Sequence, residues 1–276
     1  MVPGEHVKAE TSNGGLLGVF AHPDDEAYSV AGCLARYTDE GVPATILCFT
    51  RGEAGQIAEG SGATRQNLGV VREAELRAAC AAVGVTDVRI VGTPDGGTEV
   101  NDEGVGVIVA TMRELQPRVV VTMEPLGVTR HPDHIAVSKM TTDAFYRARG
   151  ESSDAYPERL YFNALPQSAL DAFSAELERL GIPPFASPDD PLAPRPAPDS
   201  SIACVVDVVP WVERKAAALR AHVTQSMEMI SWLPQDLYPA VLGTEAFQRP
   251  FPEPASGERV EGDLFAAFRD GDGKPA

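Results

Sequence analysis

The sequence predicts an α/β fold: a Rossmann-like, mostly parallel sheet flanked by helices, with a smaller C-terminal lobe. Three observations carry this. Short β-branched runs alternate with helix-length amphipathic stretches over the first 150 residues. The first run, Leu16–Phe20, breaks into Ala21-His22-Pro23-Asp24-Asp25-Glu26 and then a helical pattern, the strand–turn–helix opening of an α/β unit. The same order returns at Val119–Met123, which leads to His131-Pro132-Asp133-His134 and a helical pattern through Ile135, Ala136, Met140 and Phe145.

Taken in order, residues 1–14 read as a disordered tail and Leu16–Phe20 as the first strand. Residues 27–39 form the first helix, with Val30, Leu34 and Tyr37 at helical spacing. Residues 44–49 are a continuous buried strand, and the loop 51–55 that follows puts Glu53 at the sheet edge of the first turn. Residues 70–83 are a helix with Val71, Leu76, Ala79 and Cys80 on one face. Residues 88–91 are the third strand, followed by the turn 92–97 that contains Asp95. A helix at 106–115 leads into the Val119–Met123 strand.

Beyond Gly150 the pattern weakens. Residues 160–163 read as a strand, 168–180 as a helix, and the Pro- and Ala-rich 183–198 as a loop or lid. A strand at 202–209 and a helix at 211–222, with Val212, Ala216 and Leu219 on one face, complete what the pattern assigns. From Ser226 onward it assigns nothing. The domain reading is an α/β core at 15–165 and a lobe at 166–276 that completes the core and shapes the pocket.

The chain carries 40 Asp and Glu against 23 Lys and Arg. That balance disfavours nucleic acid and anionic membranes, which need a basic surface. The polar first fifteen residues hold no signal-peptide core, and no apolar run approaches a membrane span. Cys33, Cys48, Cys80 and Cys204 are scattered through apolar patterns without a C-x-x-C pair, so they read as buried, reduced thiols of a cytoplasmic protein.

In a parallel sheet both His-Pro-Asp turns lie on one edge, where His22, Asp25 and His134 can converge on one ion. A catalytic zinc takes three such ligands and keeps a position open for water. A lone histidine at a turn would instead be read as bonded to backbone; the constellation is what favours the ion. Nucleotide binding fails because G-x-G-x-x-G is missing and Asp24 and Asp25 would repel a pyrophosphate. No G-x-S-x-G elbow supports a serine hydrolase.

With these motifs the sequence resembles the PIG-L/LmbE family of zinc-dependent N-deacetylases, over residues 16–136 and weakly over 215–225. Members act on N-acetylglucosamine-type sugars, including precursors of low-molecular-weight thiols. The resemblance implies one Zn2+, or Fe2+ in its place, on His22, Asp25 and His134. It implies Asp24 as general base and His131 as the oxyanion partner, oriented by Asp133. Arg72, Asp95 and Glu53 become substrate-contact candidates, and His222 a residue lining or supporting the pocket. The bland readings are a helix-surface ion pair of Arg72 with Glu75 and a turn role for Asp95. Some thiol-pathway members carry a Tyr two residues before the first His of the second motif; here that position is Thr129.

The implied partner is a small amino-sugar substrate, with self-association left open. The implied activity is removal of an N-acetyl group, with an amidase acting on thiol S-conjugates or other N-acyl compounds as the alternative. A phosphoesterase would want two metals, and a non-catalytic sugar-binding protein would have no need of Asp24.

Overall fold

The computed structural model describes residues 14–150, 156–181, 193–225 and 233–269. The tail expected at 1–14 therefore lies almost wholly outside the described residues, as does most of the 183–198 segment.

Seven strands form one sheet: β1 (Leu16–Phe20), β2 (Ala44–Cys48), β3 (Asp87–Ile90), β4 (Val119–Met123), β5 (Arg159–Asn163), β6 (Cys204–Asp207) and β7 (Thr244–Phe251). Their order is β3-β2-β1-β4-β5-β7-β6. The first five are parallel, and β7 runs antiparallel to both β5 and β6. β1 and β4 are buried at every position, which explains why both are unbroken apolar runs: helices cover both faces.

On one face Leu16, Phe20, Ile46 and Val121 share a core with α2 (Ala31–Asp39), α3 (Leu68–Ala82) and α8 (Val212–Ala221). On the other, Leu17, Val19, Leu47 and Val120 pack with α4 (Asp102–Leu115) and α6 (Pro132–Arg149). All four cysteines are free and buried. Among the described residues, no helix is long and apolar enough to cross a membrane.

Three expectations need correction. The first helix is two, α1 (Asp25–Ser29) and α2, parted at Val30, whose φ of −150° and ψ of 6° are not helical. The break frees the amides that open α2. Gly32 and Cys33 each donate to the Glu245 carboxylate of β7 at 2.8 Å. α4 begins at Asp102, four residues before its expected start, because the Asn101 side chain accepts from Gly104 N at 2.7 Å and caps it. The strand expected at 202–209 is trimmed to β6, and a 3-10 turn takes Val209–Trp211.

The region left blank after Ser226 contains β7. This strand inserts between β5 and β6, so the C-terminal third enters the same sheet as the first five strands. Its Glu245 accepts from Lys215 Nζ of α8 at 2.8 Å, a pair almost closed to solvent.

Candidate metal centre and active site

The sheet order reverses between β1 and β4, whose neighbouring carboxyl ends form the switch point where α/β folds bind ligands. Both His-Pro-Asp turns sit there. In the turn after β1, Asp24 has φ +120°, strained for a residue with a side chain. Its amide donates to Glu26 Oε2 at 3.0 Å, and Glu26 Oε1 holds fully buried His222 at 2.8 Å. After β4, in α5 (Gly127–Arg130), Gly127, Val128 and Arg130 all have φ between +59° and +71°. Gly127 is required there: a Cβ would lie 2.5 Å from that of His134.

Each expected ligand has one donor atom tied and one left over. His134 Nδ1 donates to Gly127 O at 2.9 Å, leaving the Nε2 lone pair. His22 Nε2 lies 3.0 Å from Asp95 Oδ1 and 3.3 Å from Asp133 Oδ2, so it carries the proton and leaves Nδ1. Asp25 Oδ2 accepts from the Ala21 and His22 amides at 3.1 and 2.8 Å, leaving Oδ1.

The leftover atoms converge. His22 Nδ1 and His134 Nε2 are 3.0 Å apart, and Asp25 Oδ1 is 3.4 Å from His134 Nε2. Donors about 2.05 Å from a tetrahedral ion stand roughly 3.3 Å from one another. Two facing imidazole lone pairs also need a cation between them. The surroundings supply the same demand. Burial opposes charging His22, but the carboxylates of Asp133, Asp95 and Asp25 outweigh it and lift the imidazole to about 10. The His22–His134 and His134–Asp25 separations suit a single divalent ion. His131 also lies within reach of His22 and His134, and Asp95 and Asp133 cluster with His22 on its other side.

Asp24 stands beside the trio. Burial raises its carboxyl, Arg72 lowers it and Asp25 raises it again, to about 6 in sum. Arg72 NH2 donates to Asp24 Oδ2 at 3.1 Å and to Pro23 O at 2.5 Å, while NH1 donates to Gly52 O at 3.0 Å. With 3 % of its surface exposed, Arg72 packs against Asp24 and bonds it through NH2, while its buried Nε has no partner among the described residues. A side chain on Gly52 would collide with it.

Asp95 likewise faces inward. Burial would raise it, yet His22 and the Ala54 amide bring it to about 2. Asp133 accepts from the Gly96 and Thr98 amides at 2.8 and 3.1 Å and shares His22. Its carboxylate therefore orients His22, and not His131, the residue that the family resemblance implies it orients. His131 Nδ1 instead accepts from the Asp133 amide at 3.2 Å, which leaves the proton on Nε2. Burial, then His22 and His134, hold its imidazole below the usual range, so it is neutral and a hydrogen-bond donor. Glu53 Oε1 accepts from Asp95 N at 2.9 Å and supports that turn. His222 acts one step further back, through Glu26 on the Asp24 amide.

Comparison with known proteins bears on this site directly. The family model described as GlcNAc-PI de-N-acetylase, PIG-L, matches residues 17–145. A 1D-myo-inositol 2-acetamido-2-deoxy-α-D-glucopyranoside deacetylase of Geodermatophilus obscurus is 35% identical, over 92% of this chain and 97% of its own. The chain belongs to the PIG-L family. A relative with the same name from Actinosynnema mirum is 36% identical over 76% of this chain and 80% of its own. Among solved structures, a conserved protein of Thermus thermophilus superposes with a TM-score of 0.57 at 27% identity, covering 88% of this chain and 98% of that one. The N,N'-diacetylchitobiose deacetylase of Pyrococcus horikoshii shares the fold, with a TM-score of 0.58 at 19% identity over 86% and 84%.

The PIG-L motifs carry no signal for one feature, a cavity of about 780 Å³ that opens beside Asp25 and His134. Thr129, at the position where some family members have Tyr, borders it, and so does Tyr28 of α1. The Thr129 hydroxyl reaches Gly127 O and His134 Nδ1, each at 3.4 Å.

Proposed function

We propose that this protein is a metal-dependent N-deacetylase of N-acetylglucosamine-type sugars, with His22, Asp25 and His134 as ligands and Zn2+ the expected ion. The observation that carries the reading is the convergence of three untied donor atoms beside an ionisable carboxylate. A divalent ion held there would polarise the amide carbonyl and acidify a water.

The remaining chemistry belongs to the chain. Asp24, poised near neutrality by burial against Arg72, accepts a proton from the attacking water and returns it to the amine. His131 offers its Nε2 proton to the oxyanion, and loss of such a donor costs about a hundred- to thousandfold in rate. Asp95 and Asp133 fix the tautomer of His22. The compound named for the curated relatives, 1D-myo-inositol 2-acetamido-2-deoxy-α-D-glucopyranoside, is the first substrate to test. Acetate release from it by the zinc-loaded protein, lost on chelation and restored by metal, is the expected result. An unchanged rate after complete metal removal would overturn the reading.

A further inference from the structure

The cavity beside the ligands is far larger than an acetyl group needs. It extends from Asp25 and His134 over the sheet towards β6 and β7. Its walls include Leu165, Ile202 and Leu242, together with Leu170 and Phe173 of α7 (Gln167–Leu180). α7 explains itself only through this cavity: Leu177 alone of its residues is buried, and Leu170 and Phe173 turn to the cavity instead of the core.

Polar groups in the wall are largely engaged with one another. Lys215 and Glu245 face each other at 2.8 Å. Asn163 donates to Ser29 O at 3.0 Å. Asp199 accepts from both the amide and the hydroxyl of Ser168. A sugar ring brought here would leave several hydroxyls without partners, which is costly. An alkyl chain would leave none.

The direction follows from Asp24. The leaving amine must reach that carboxylate to collect its proton, and Asp24, paired with Arg72, is not in the cavity wall, whereas Asp25 and His134 border the cavity. The amine therefore departs on the Asp24 side of the metal ligands, and the acyl group points into the cavity.

We propose that this cavity is an acyl-chain subsite, so that the enzyme hydrolyses medium-chain N-acyl amino sugars better than N-acetyl ones; the inference rests on the deacylase reading above. The test uses two series with the zinc-loaded full chain. In one, methyl glucosaminide carries N-acetyl, N-butyryl, N-hexanoyl or N-octanoyl. In the other, N-acetyl is kept and the aglycone is lengthened from methyl to octyl. Amine release gives kcat/KM.

Each methylene buried is worth up to about fourfold, and we expect at least a tenfold rise from acetyl to hexanoyl. Leu170→Trp, which narrows the cavity from the helix surface, should cut the hexanoyl-to-acetyl ratio about fivefold or more. Ala246→Phe, from the opposite wall, should act the same way. Acetyl hydrolysis with a flat or falling acyl profile overturns the subsite and leaves the deacetylase reading standing, as does a gain confined to the aglycone series. No hydrolysis of any member overturns both.

Discussion

Gly127→Ala tests how the loop after β4 builds the proposed metal centre. Gly127 has φ +71°, and a non-glycine residue in the left-handed region costs roughly 1–2 kcal/mol. The added Cβ would also lie 2.5 Å from His134 Cβ and 3.2 Å from Ile135 N, at the first turn of α6, which cannot give way cheaply. Overpacking of this kind costs about 1–3 kcal/mol, for a total of about 2–5 kcal/mol. The damage falls on function as well, because Gly127 O is the acceptor that orients His134. Loss of such a partner weakens metal binding about 10- to 100-fold.

Urea unfolding of the metal-free protein measures the first number and competitive zinc titration the second. Gly181→Ala is the control. It has φ +67° with nothing within 4 Å of the new Cβ, so it should show the backbone cost alone and wild-type metal affinity. A Gly127→Ala protein matching that control in both assays would refute the argument.

Three further outcomes are expected. Asp24→Asn keeps its metal, since Asn also tolerates positive φ, but loses about two to four powers of ten in kcat; a rate within a few-fold of wild type would move the base elsewhere. Asp95→Ala lowers zinc affinity about tenfold or more, because His22 loses one of its two carboxylates. A sugar-contact role would instead raise KM and leave the metal in place. Asp263, which accepts from Tyr37 Oη at 2.7 Å and pairs with Arg269, tests acid stability. Burial would raise its carboxyl, yet Arg269, the Phe265 amide and Tyr37 hold it below the ordinary 3.8. Its contribution is therefore present above that value and lost as the pH falls through the folded one. Asp263→Asn should cost about 2 kcal/mol at pH 7 and converge with wild type in urea melts as the pH falls through the lowered folded-state value.

The parallel strands and the two motif turns were legible because each is local: an apolar run, then His-Pro-Asp, then a helical pattern. The proposed ligand trio follows from those turns for the same reason. The partners of each ligand could not. Several acidic residues lie near His22, and which of them reaches its Nε2 depends on how the turn after β3 folds over the site, which spacing does not encode. The sequence marks Arg72 as a candidate but not its burial, which goes with the close approach of Gly52 on another loop. β7 escaped because Glu245 and Arg249 read as surface charges. In the fold both are buried, and Glu245 is balanced by Lys215 thirty residues away. The α4 start was missed because Gly104 and Gly106 mask the Asn101 cap.

The insertion of β7 between β5 and β6 has a consequence for synthesis. β5 is complete at Asn163, but the strand that pairs with its free edge starts at Thr244. A ribosome needs roughly 4–16 s to add the intervening eighty or so residues. Throughout that interval the nascent chain presents an unpaired edge carrying Leu160, Tyr161 and Phe162, all buried in the finished protein. Nor is the amino end of α2 capped until Glu245 has emerged. The catalytic turns are thus translated early but rest on a sheet that only the last part of the chain can close. A chain stopped before Thr244 is expected to be captured by chaperones or to aggregate rather than persist as a smaller enzyme.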